Sequence, residues 1–169
     1  EDITAVTIYH DYLIFGTKNG HLYAYDTRQE VWYDKSRIPF LNIDNTWPSN
    51  TKINGFLVDS VSDVLYMYGD NGSVDAYRWS DESWCGTDYD ELKSPLKSVG
   101  NTGVMGDIYT AFIINSKPYR SLIVAGENGE VASCYVDCEE INGWCNPDSS
   151  WYLAVGAIKP KYYSNGEYR

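Results

Sequence analysis

Apolar and polar positions alternate over short stretches along much of the chain, and Asn-Gly pairs break the alternation at regular intervals. In FGTKNGHLYAYD (15–26) two such runs flank Asn19-Gly20, the strongest local signal for a β-hairpin. The pattern returns in MYGDNGSVDAYRW (67–79) and VAGENGEVASCYV (124–136), so Asn19, Asn71 and Asn128 recur at spacings of 52 and 57 residues. Each turn is entered by a strand-like run, DYLIFGT, DVLYMYG or YRSLIVAG. A further run precedes each of these across a short polar break: ITAVTIY, INGFLVD and IYTAFII. Beyond the turns stand Trp32, Trp84 and Trp144, at 13, 13 and 16 residues from their Asn, so the third copy carries a small insertion. The repeat predicts units of four short antiparallel strands at 3–52, 53–106 and 107–150, with 151–169 as the start of a further strand or a closing tail. No sustained period near 3.6 competes with this all-β reading.

The stretch LIFGTKNGHLYAYDTRQEVW (13–32) resembles the blade repeat of quinoprotein-like and WD-repeat β-propellers. In that repeat a strand ending in Gly passes through a polar turn into a Leu-Tyr-Ala-Tyr-Asp type of strand with an aromatic following. The resemblance covers roughly residues 3–146. It implies a single propeller-type domain over 1–169, with about three four-stranded antiparallel blades of roughly 50 residues. It also implies an interaction platform, because none of the catalytic or metal positions of the quinone-dependent relatives finds a match. Propellers close with typically four to eight blades, so three predict an incomplete ring. Two chains of three blades each, in a two-fold dimer, would make a six-bladed ring; further blades of a longer polypeptide are the other solution. The opening EDITAV, without an initiator Met or a signal-type hydrophobic segment, reads as a piece of a longer product.

Composition agrees with strands and narrows the partners. The 16 Tyr and 6 Trp are strand formers. A net charge of -11, from 13 basic against 24 acidic residues, argues against nucleic acid and anionic membrane, both of which need positive charge on the protein. The longest apolar runs fall far short of the roughly 20 residues that span a bilayer.

The four cysteines, Cys85, Cys134, Cys138 and Cys145, lack the paired knuckles of a zinc site. An even number fits a secreted, surface or lumenal protein with disulfides, and buried thiols are the alternative. Cys138 and Cys145 offer the most local pairing, across the insertion in the third unit. Cys134 takes the place of Tyr25 and Tyr77 and reads as a core thiol, which leaves Cys85 unpaired or joined elsewhere.

Catalytic chemistry finds little material. Two histidines, His10 and His21, form no Ser-His-Asp or Cys-His arrangement that the repeat would assemble, and no metal or cofactor set emerges. Asp88, Asp90 and Glu91 in TDYDEL, and Asp59 with Asp63, lack the alternating spacing of a calcium loop. Asn71 in NGS has the form of a glycosylation acceptor. The repeating Trp32, Trp84 and Trp144 are expected to pack between blades, whereas Trp47 in DNTWPSN either stacks on a partner or closes its loop. Two long linkers, 33–52 and 85–106, are expected on one rim of the disc. The expectation is a non-catalytic protein-interaction or scaffold module using Trp47, Asp88, Asp90 and Glu91. Its partner is a protein, further blades or a second copy. A glycan-binding propeller is the alternative.

Overall fold

The computed structural model describes residues 1–34, 39–43, 47–84, 102, 104, 106–115, 120–137, 146–147 and 152–154. These residues build three antiparallel sheets, each wound in sequence order. The first contains β1 (Ile3–Tyr9), β2 (Tyr12–Thr17), β3 (Leu22–Asp26) and β4 (Val31–Tyr33). The second contains β5 (Ile53–Asp59), β6 (Val64–Gly69), β7 (Val74–Arg78) and β8 (Ser83–Trp84). The third contains β9 (Ile108–Asn115), β10 (Arg120–Gly126), β11 (Val131–Asp137) and β12 (Asn146–Pro147). The last described strand, β13 (Tyr152–Ala154), pairs with β11 and belongs to the third sheet. No helix among the described residues is long and apolar enough to cross a membrane.

The hairpins fall where the Asn-Gly pairs predict them. In all three the glycine takes a left-handed backbone: Gly20 at φ 79°, Gly72 at 69° and Gly129 at 74°. Only in the second does the preceding residue, Asn71, share that conformation. At Gly20 and Gly129 the amide closes a turn onto the carbonyls of Thr17 and Gly126. These two loops are thus one residue longer than the two-residue hairpin an Asn-Gly pair suggests, with glycine as the left-handed residue that rejoins the ladder.

The first two strands of the three sheets pair in the same register. Ile3 opposes Thr17, Ile53 opposes Gly69 and Ile108 opposes Gly126, which places Val6, Phe56 and Ala111 in equivalent positions. With this register the sheets stack face to face through two cores. Ile14, Ala24 and Leu22 of the first sheet pack against Leu65, Met67 and Tyr77 of the second. The other face of the second sheet, with Val64, Tyr66 and Ala76, packs against Leu122, Val124 and Ala132 of the third. Cys134 is buried in this second core, as its place in the repeat suggests. Equivalent side chains also tie the first strands together: the Thr4 hydroxyl donates to the Ile53 carbonyl (2.6 Å), and the Asn54 amide donates to the Ile108 carbonyl (3.1 Å).

The first linker does not lie on a rim. Phe40, Leu41, Ile43 and Trp47 are buried in the core between the first and second sheets. Phe40 packs edge-on to Tyr12, and its carbonyl accepts the indole N–H of Trp84 (2.8 Å). Large apolar side chains in a loop are worth more inside, where each gains about 1.5–3 kcal/mol on burial.

The glycine turns differ in what lies over them. A methyl group on Gly20 would meet the Thr51 carbonyl oxygen at 2.5 Å and the Trp47 indole at 3.1 Å, whereas one on Gly129 would meet nothing within 4 Å. Both substitutions by Ala incur the left-handed backbone penalty of about 1–2 kcal/mol. Only Gly20→Ala adds overpacking, about 1–3 kcal/mol more. Urea midpoints of the two variants check this; equal losses would mean that nothing packs over the first turn.

Candidate functional site

The outer face of the first sheet is built by residues that strand alternation turns away from the core. The cross-strand pairs Val6 with Phe15, Ile8 with Leu13, Leu13 with Tyr25 and Tyr25 with Trp32 all fall on this face. The result is a continuous aliphatic and aromatic surface across four strands. Val6, Ile8 and Trp32 are 58%, 66% and 58% exposed. The Trp32 ring lies 5.2 Å from both Phe15 and Tyr25, centroid to centroid, so the aromatic side chains are already ordered against one another.

Comparison of the three sheets at matched register shows that this face is unusual. Its equivalents in the second sheet include Leu65, Met67, Tyr77 and Trp84, all buried against the first sheet and its linker. Those in the third sheet, Leu122, Val124, Ala132 and Cys134, are buried against the second. Trp32 and Trp84 thus hold the same register position with opposite exposure, and of the two only Trp84 packs between neighbouring sheets of the chain. No preceding sheet lies over Trp32 among the described residues. One border of the face is polar: Glu1 accepts from the Tyr23 hydroxyl (2.9 Å) and sits 2.6 Å from His21 Nδ1. The hydrogen bonds from Tyr23 and His21 hold the Glu1 carboxyl below the usual carboxylate range.

Titratable groups between the sheets serve as cross-links. His10 Nε2 lies 2.8 and 3.1 Å from the Asp63 carboxylate oxygens, and its ring stacks on Trp79 at 4.0 Å. The Tyr9 hydroxyl donates to the Asp63 carbonyl (2.6 Å), and burial with the nearby Asp63 charge pushes its pKa well up, so it stays a donor. A His-Asp pair can orient a catalytic base; here the His10 ring meets Asp63 of the second sheet and so ties the first two sheets together. Between the second and third sheets, Arg120 Nη2 meets Asp59 Oδ1 at 2.5 Å. Ser62 and the Val61 amide also donate to Asp59. Burial would raise the Asp59 pKa, but these donors outweigh it and leave the carboxyl below its ordinary range. At the opposite end of the same two sheets Asp107 approaches Asp70; burial and the hydrogen bond shared with Asp70 raise the Asp107 pKa. No group of three or more His, Cys, Asp or Glu among the described residues is placed to hold a metal ion.

Compared with known proteins, the chain matches no protein-family model and no curated protein.

Of the residues singled out by sequence, Trp47 is described and is 5% exposed. Its indole N–H donates to the Thr51 carbonyl (2.8 Å), and its ring covers Gly20 and Gly69. It closes its loop and presents no stacking surface to solvent. Asp88, Asp90 and Glu91, and Cys138 with Cys145, lie outside the described residues, as do Cys85, Trp144 and Trp151. The surface centred on Ile8 and Trp32 was not singled out. Its signal was present in ITAVTIY, where apolar residues fall on both faces of one strand, as in a strand covered on both sides.

Proposed function

We propose that the chain is a three-blade arc of a β-propeller that works as a non-catalytic protein-interaction or scaffold module, in an extracytoplasmic setting, and joins its partner through the outer face of the first sheet. One observation carries the reading: this face is exposed, while the equivalent faces of the second and third sheets are buried against a preceding sheet. The order of stacking and the repeated ties from Thr4 to Ile53 and Asn54 to Ile108 support an arc of blades. An exposed aromatic face bordered by polar groups is the composition of a protein-binding surface. The glycan reading loses its anchor with the burial of Trp47.

Binding experiments with immobilised chain test this. A protein retained by the unmodified chain and lost with Ile8→Asp, while the far-UV circular dichroism spectrum is unchanged, is the expected result. Retention by both forms would overturn the choice of face. Binding of free oligosaccharides that leaves Trp32 fluorescence unaffected would favour a sugar-binding module with its site elsewhere.

A further inference from the structure

We infer that the occupant of the first sheet's outer face is the third sheet of a second copy of this chain, docked head to tail. The inference rests on the propeller-arc reading and adds the partner and the geometry. It starts from the far end of the stack. Along β9, Phe112 and Ile114 are each 46% exposed, and Ile123 of β10 beside them is only half-buried. The register makes Ile123 the equivalent of Ile14 and Tyr66, both fully buried by the sheet that follows theirs. Gly129 repeats the comparison, since the equivalent Gly20 is covered by the segment entering the second sheet and Gly129 faces open space. One chain therefore carries both halves of the contact it makes twice internally. Among the described residues, no sheet lies over the outer face of its first sheet or the far face of its third.

Complementary, non-identical surfaces at the two ends of one chain define a heterologous contact, which either closes into a ring or propagates as a filament. The three described sheets of each chain close with two copies as six, within the range of propeller rings. Both contacts in that ring are then equivalent, with Ile8, Phe15 and Trp32 of one copy against Phe112, Ile114 and Ile123 of the other. An isologous pairing of two first sheets would leave Phe112 and Ile114 uncovered.

Light scattering over a range of concentrations, on the unmodified chain, Ile8→Asp, Phe112→Asp and an equimolar mixture of the two variants, tests the inference. The unmodified chain is expected at twice its 19.2 kDa mass. Each variant alone should fall to a single-chain mass, because each damages one side of both contacts. The mixture should regain the doubled mass, since one of its two contacts combines an intact first sheet with an intact third sheet. Circular dichroism of each variant confirms that strand content is retained, and Ile8→Ser with Phe112→Ser repeats the comparison under a milder change. A doubled mass that Phe112→Asp leaves intact would overturn the head-to-tail geometry. A single-chain mass for the unmodified protein at every concentration would overturn the second copy as occupant. Oxidative labelling then separates the two levels: a reactive Trp32 in that monomer leaves the face open for a different protein, and a protected Trp32 means that the chain covers its own face, so the interaction reading falls as well.

Discussion

Arg120→Ala is expected to lower stability by about 3–5 kcal/mol at neutral pH, the cost of leaving one partner of a buried ion pair unpaired. Asp59 and Arg120 are 2% and 12% exposed and belong to different sheets, so the loss falls on the contact between the second and third sheets. The pH dependence follows from the Asp59 carboxyl being held below its ordinary value of 3.8 despite the opposing effect of burial. A carboxyl whose folded pKa is depressed contributes stability that is fully present above the unfolded value and is lost as pH falls through the folded one. The unmodified protein should therefore lose this contribution as pH falls below about 3.8. In the variant Asp59 has lost its cation, and protonation relieves the buried charge. The gap between the two proteins is expected to narrow on acidification. Urea denaturation at neutral pH and near pH 3 measures both values; a constant gap would show that the pair is not buried in solution.

Trp47→Ala should cost a similar amount, about 3–5 kcal/mol, the range for emptying a large aromatic site in a core. The indole fills the space over Gly20 and Gly69 and donates to Thr51, and its removal leaves both a cavity and a carbonyl without its partner. Trp32→Ala, on the outer face of the first sheet, should stay within about 0.5 kcal/mol for the single chain, as exposed substitutions do. Denaturation midpoints at high dilution give the contrast. Should the two variants lose equal stability, the placement of one of the tryptophans is wrong. A mild Trp47→Ala together with lost ligand binding would return Trp47 to the role of an exposed anchor.

The strands were legible because their information is local. Alternation and Asn-Gly pairs determine where β2 and β3, β6 and β7, and β10 and β11 turn back on one another, and the hairpin residues follow. Even the burial of Cys134 could be read, since it occupies a position that the repeat places on a covered face. The linker was not legible. DNTWPSN has the polar, Pro-containing composition of an exposed loop, yet Trp47 is buried, where its indole finds two glycines, Gly20 and Gly69, small enough to lie against.

Trp32 and Trp84 draw the boundary between the two kinds of information most directly. Their distance from the Asn-Gly turn is identical, and both pair with a Tyr on the neighbouring strand, Tyr25 and Tyr77. By itself the sequence determined the β-rich character of the chain, where the hairpins turn, the antiparallel order of strands within each described sheet and the two-sided apolar character of β1 and β2. Tertiary structure alone decided which faces are covered, which linker side chains enter the core, and that Ile8 and Trp32 on the first sheet's outer face and Phe112 and Ile114 on the third sheet's far face are exposed. The physical reason is that a period of two assigns side chains to opposite faces of a strand, whereas burial depends on what packs against each face, and that contact is made by residues distant in the sequence.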